Sequence, residues 1–135
     1  MIEVDIETAL MNAAIEAAFQ VGDLPLQVPN RVFNPPSDGR YLRATHFRNP
    51  VNNLAWGDET LFQGVLQIDM FGAPDVGSIP LTTIGSALST YFRKGRQFRE
   101  GNALVEIQEK PSVLSEATNG HETFVPVSIR YQCFG

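Results

Sequence analysis

The chain has 135 residues, a formal net charge of −5 and one cysteine. That is the size of one domain; it excludes a disulfide-stapled scaffold or a cysteine-rich metal site and argues against non-specific DNA binding through a positive field. Charged residues make up 19%, under the usual ~25%, and amides such as Asn30, Asn34, Asn52, Asn53, Gln63 and Gln67 take their place, a surface suited to contact with other proteins.

Residues 5–21, DIETALMNAAIEAAFQV, predict a helix, because alanine and leucine are good helix formers, Asp5 is placed to cap the start and Gly22 to end it. Ile6, Leu10, Ala13, Ala14, Ala17 and Val21 recur at helical spacing, and Met11, Ile15 and Phe19 widen the stripe, so that this helix touches neighbours on two sides. Residues 22–40 form a long connector rich in proline and asparagine, with Phe33 and Tyr41 across its junction with the first strand.

That strand, residues 41–47, places Leu42, Ala44 and His46 on one face and Tyr41, Arg43, Thr45 and Phe47 on the other. A second long connector, 48–60, carries Leu54 and Trp56. Residues 61–71 alternate more cleanly, with Phe62, Leu66, Ile68 and Met70 on the core side and Gln63, Gln67 and Asp69 on a wet side. A second helix spans 79–92, with Ser78 as cap, Pro80 in the first turn, and Leu81, Ile84, Leu88 and Tyr91 along one face. Strands at 103–109 and 122–134 follow; Pro126 in the last of them lacks a backbone donor and predicts an edge or a bulge.

The order helix, strand, strand, helix, strand, strand predicts a single α+β domain over residues 1–135. Its expected architecture is a mainly antiparallel four-stranded sheet with both helices on one face and long ordered loops. Connectors of this length are uncommon in compact domains and are usually functional, and their aromatics either cover their own core or reach a partner.

Little in the chain points to catalysis. His46, His121 and Asp69 match no metal-ligand spacing, and Cys133, near a strand end, reads as a small apolar group. The GxSxG elbow and both glycine-rich phosphate loops are absent, so no enzyme, cofactor or metal is expected. One basic cluster stands out in FRKGRQFREG, where Arg93, Lys94, Arg96 and Arg99 interleave with Phe92 and Phe98. Three readings stay open for it: a nucleic-acid patch, complementation of the helix carbonyl end by Arg93 and Lys94, or a contact with an acidic patch of a neighbouring protein. The amino end lacks a signal peptide's basic start, and no uncharged run is long enough to span a bilayer, so a soluble, cytoplasm-assembled chain is expected.

The segments VPNRVFNPPSDGRYLRATHF, GVLQIDMF, YFRKGRQF, VEIQEKPSV and FVPVSIRYQC, in this order and spacing, resemble the tail-terminator-like family of long-tailed bacteriophages, including the minor tail protein U type. The resemblance implies a small α+β subunit that forms a ring, usually of six, on the head-proximal end of a finished tail tube. Such a ring stops tube growth and offers a surface to head-completion proteins, with DNA passing through it unbound. Asn30, Phe33, Pro35, Pro36 and Tyr41 fall on the family's signature segment. Together with Trp56, Arg93, Lys94, Arg96 and Arg99 they are the expected contact residues, and Gln63, Gln67 and Asp69 are expected to line the channel or pack on the tube. The rival readings are another head-completion or tube subunit, and a small hydrolase or nucleic-acid-binding module.

Overall fold

A computed structural model describes residues 2–28, 31–36, 38–50, 52–53, 60–72, 79–119 and 122–134. In chain order the elements are α1 (Ile2–Gln20), β1 (Leu26–Gln27), β2 (Tyr41–Arg48), β3 (Asn52–Asn53), β4 (Thr60–Phe71), α2 (Ile79–Tyr91), β5 (Gln97–Glu100), β6 (Ala103–Ile107), β7 (Ser112–Val113), β8 (Ala117–Asn119) and β9 (Glu122–Phe134).

The expected four-stranded, mainly antiparallel sheet is corrected: the described residues form a nine-stranded mixed sheet with the path β1-β2-β4-β9-β6-β5. The helix, strand, strand, helix, strand, strand order becomes helix, four strands, helix, five strands. The extra strands are two to four residues long, too short to carry an alternating pattern, and they gain their order from a long neighbour rather than from their own sequence. β1 lies inside the proline-rich connector and pairs parallel to β2. β5 takes up part of the basic segment and pairs with β6.

Described parts of the second connector are also strand. β2 pairs with β4 down to Arg48↔Gly64, and β3 resumes at Asn52↔Leu61. Between the two registers four residues on one strand thus stand against three on the other. Trp56 and Leu54 lie outside the described residues, as do Asn30, Ser78 and His121.

β4 and β9 form the centre of the sheet, paired from Leu61↔Phe134 to Phe71↔Phe124. On its other side β9 pairs in turn with β6, β7 and β8. Pro126 sits where β7 has ended and β8 has not begun. The Leu114 N–H donates to its carbonyl at 2.8 Å, so its nitrogen points to the same gap, and the missing donor leaves the β4 ladder intact.

One sheet face carries Leu42, Ala44, Leu66, Ile68, Met70, Val125, Val127 and Ile129, all buried. Both helices pack there. α1 buries Ile6, Ala9, Leu10, Ala13, Ala14, Ala17 and Ala18, and its alanines let the helix approach closely. α1 starts earlier than Asp5, which lies in its first turn with Glu3, where acids complement the amino-terminal dipole. α2 seats Gly85 on Met70 and Val113, so that an added Cβ would lie 3.0 Å from the Met70 methyl.

Candidate assembly interface

The described part of the proline-rich arm folds back on the sheet face away from the helices. The Phe33 ring lies 5.1 Å from Tyr41, Tyr41 stacks on Phe71 at 4.4 Å, and Phe71 meets Phe124 at 5.1 Å. The Tyr41 hydroxyl donates to Glu122 at 2.6 Å, and burial together with that carboxylate pushes its pKa up to about 12. The arm closes in a turn at Pro36, where the Gly39 N–H donates to the Pro36 carbonyl with Gly39 at φ 76°, a conformation that favours glycine. Pro35 is exposed and Pro36 half-buried, while Val32 is 96% exposed.

Under this layer the expected wet position of Asp69 is corrected: it is only 2% exposed. Arg43 donates to Asp69 Oδ2 through Nε at 3.2 Å and Nη2 at 2.8 Å, and Gln67 donates to Oδ1 at 2.8 Å. The Arg43 guanidinium also lies over Phe71 and Phe124, 5.0 and 5.7 Å from the ring centroids. Alternation places Asp69 on the polar side correctly, but side chains and the arm cover that end of the face. Gln63 and Gln67 remain half-buried beyond it.

The basic segment divides. Arg96 donates to the Tyr91 carbonyl at 2.8 Å and lies 4.0 Å over the Tyr91 ring and 5.2 Å from Phe98. It therefore supplies the cation at the carbonyl end of α2, a role that one of the three readings gave to Arg93 and Lys94. Arg93, Lys94 and Arg99 are exposed, Arg99 lining, with Glu16 and Glu100, a cleft between α1 and β5.

Two features fall outside the expected site residues. His46, its side chain 2% exposed, is held between α1 and β9: its Nδ1 meets Glu7 at 3.2 Å and its Nε2 meets the Tyr131 hydroxyl at 2.5 Å. A carboxylate only accepts, so the neutral ring carries its proton on Nδ1 and Nε2 accepts from Tyr131. Burial lowers the His46 pKa against the upward pull of Glu7 and pushes Tyr131 up to about 12. Arg48 completes the group by donating to Glu7 at 3.0 Å.

The second feature is a groove of about 550 Å³ beside α1, with Met11, Ile15 and Val28 as apolar lining and Arg31 and Arg48 as cations. The spacing of Met11, Ile15 and Phe19 signals this second face of the helix; the histidine cluster joins positions too far apart in the chain to leave any pattern.

Among the described residues no group of three His, Cys, Asp or Glu side chains is placed to hold a metal. Cys133 is buried, and burial raises its pKa, which keeps it a thiol. The sites that the geometry offers are surfaces.

The comparisons agree in kind. A family model described as phage tail terminator protein matches residues 5–131. A solved protein that carries no functional name superposes with a TM-score of 0.81 at 24% identity, covering 98% of this chain and 96% of its own. A chain from the virion of a native gene transfer agent particle gives 0.60 at 12% identity, over 99% of this chain and 98% of its own. At these identities both show a shared fold. No curated protein matches the chain.

Proposed function

We propose a function from one premise: the chain belongs to the phage tail terminator protein family, and is a structural component of the virion tail. In our reading, copies of it join into a ring, of six as the family resemblance implies, on the head-proximal end of the tail tube. The ring ends tube growth and presents the surface to which head-completion proteins attach. The observation that carries this reading is the family match along nearly the whole chain. The shape is consistent with it, since apolar side chains such as Phe19, Val32 and Phe134 stay exposed and suit an assembly. The net charge of −5 lets DNA pass the ring without being held, and exposed Arg93 and Lys94 are offered to an acidic surface of a neighbouring virion protein.

Deleting the gene and measuring tails by electron microscopy tests the reading. Overlong tails without heads are expected, with normal length restored by supplying the protein. Tails of normal length that merely fail to join heads would move the chain to a head-completion role, and normal infectious particles would overturn a virion role altogether.

A further inference from the structure

β5 ends the sheet path β1-β2-β4-β9-β6-β5, and among the described residues no strand pairs with its other side. The ladder to β6 fixes which backbone groups are left over. The Ile107 N–H donates to the Arg96 carbonyl at 2.9 Å, and further along Phe98 lies opposite Val105 and Glu100 opposite Ala103. Backbone groups turn to alternate sides along a strand. Those of Phe98 and Glu100 therefore point to β6, and the N–H and C=O of Gln97 and Arg99 point away from it. No hydrogen bond among the described residues reaches these outward groups.

This edge opens on the cleft of about 320 Å³ between α1 and β5. Gln97, Phe98, Arg99 and Glu100 all line it, although their side chains alternate between the two faces of the sheet. Gln97 turns to Glu106 on the face away from the helices, whereas Phe98 packs with Tyr91 and Phe92. Consecutive residues line one cleft through the backbone edge that they share. Gln97 and Arg99 are exposed, and across the cleft Ala9 and Ala13 of α1 are small.

The helix side of the cleft is acidic. Glu16 and Glu100 line it, and Asp5 lies at its end, where a Cβ added to Gly101 would be 2.7 Å from Oδ2. None of these carboxylates is in an ion pair among the described residues. Among the described lining residues only Arg99 is basic, and its side chain has the parity of Gln97, on the other face.

We propose that β5 takes up an extended segment of another virion protein as a further strand, with basic side chains turned to α1. The outward N–H and C=O groups of Gln97 and Arg99 bind its backbone, and its alternate side chains meet Glu16, Glu100 and Asp5. β5 is short, which limits the ladder to a few residues, and no proline interrupts it. A second copy joined edge to edge would bring Glu16 and Glu100 against themselves in a chain of net charge −5, so the partner is a different protein. The inference rests on the virion role and is independent of any ring.

The probe is a synthetic peptide of sequence TVKVKVT added to the intact chain, with TVEVEVT as its acidic counterpart, followed by amide hydrogen exchange in NMR. TVKVKVT should bind with a Kd below about 1 mM and slow exchange at the Gln97 and Arg99 N–H. TVEVEVT should bind at least ~10-fold more weakly, and Glu16→Lys combined with Glu100→Lys should reverse that preference. Arg99→Pro removes an outward donor and obstructs the incoming strand without touching the β6 ladder, so it should weaken TVKVKVT at least ~10-fold. Arg99→Ala keeps the donor and should stay within ~2-fold of wild type. Gln97→Pro repeats the test at the other outward donor, the folding of each variant being checked by circular dichroism. In the phage, Arg99→Pro should lose infectivity and Arg99→Ala should keep it. Absence of TVKVKVT binding, unchanged exchange at Gln97 and Arg99, or binding that survives both proline variants overturns the proposal. Equal binding of TVEVEVT overturns the basic chemistry of the partner, and full infectivity with a folded Arg99→Pro chain overturns its role in the virion. Overlong tails on gene deletion alongside such a result would leave the tail role standing.

Discussion

Gly64 is a position at which this fold leaves no room for a side chain. It is buried in β4, opposite Tyr131 on β9 and Arg48 on β2. A Cβ added there would lie 2.6 Å from the Tyr131 hydroxyl and 2.9 Å from its Cε1, and closer still to the Phe47 carbonyl oxygen. Neither neighbour can withdraw easily. The carbonyl is fixed in a paired strand, and the hydroxyl is held to His46 at 2.5 Å. Overpacking of this kind costs about 1–3 kcal/mol, with the upper end expected where backbone must move, and removing a strand glycine recovers roughly 0.5–1 kcal/mol. Gly64→Ala should therefore destabilise by about 2 kcal/mol in urea unfolding followed by circular dichroism. On a Tyr131→Phe background, where one of the two obstructing oxygens is gone, it should cost less, with a coupling of at least ~0.5 kcal/mol. A loss under ~0.5 kcal/mol, or strict additivity, would refute the reasoning.

Asp69→Ala should cost about 2–3 kcal/mol, less than the 3–5 of a fully buried broken pair, because water still reaches Arg43, a third exposed; Asp69→Leu combined with Arg43→Met should cost less than Asp69→Ala. Burial holds the folded-state pKa of His46 below its ordinary value, so the unfolded chain binds a proton first as pH falls. Stability should accordingly decline below about pH 6.5 and level off beneath the folded-state value, a decline that His46→Gln should flatten in chemical denaturation across pH. Arg96→Ala should destabilise by about 1–2 kcal/mol through the lost carbonyl bond and ring stacking, while Arg93→Ala and Lys94→Ala should stay within ~0.5 kcal/mol by the same assay.

The two helices and the strands at β2, β4, β6 and β9 were legible because each is long enough for its period to repeat, and their bounds in the structure fall within a few residues of the pattern. β1, β3, β5, β7 and β8 were not, since a segment such as Leu26–Gln27 is ordered by the strand that it joins. Face assignment was legible and solvent exposure was not. Asp69 has the parity of Gln63 and Gln67, yet Arg43 and the aromatics beside it remove Asp69 from water. The same limit applies to FRKGRQFREG, where only the return of the chain onto Tyr91 separates Arg96 from its neighbours. The arm shows both sides of this limit: Phe33 covers its own molecule, and Val32 does not.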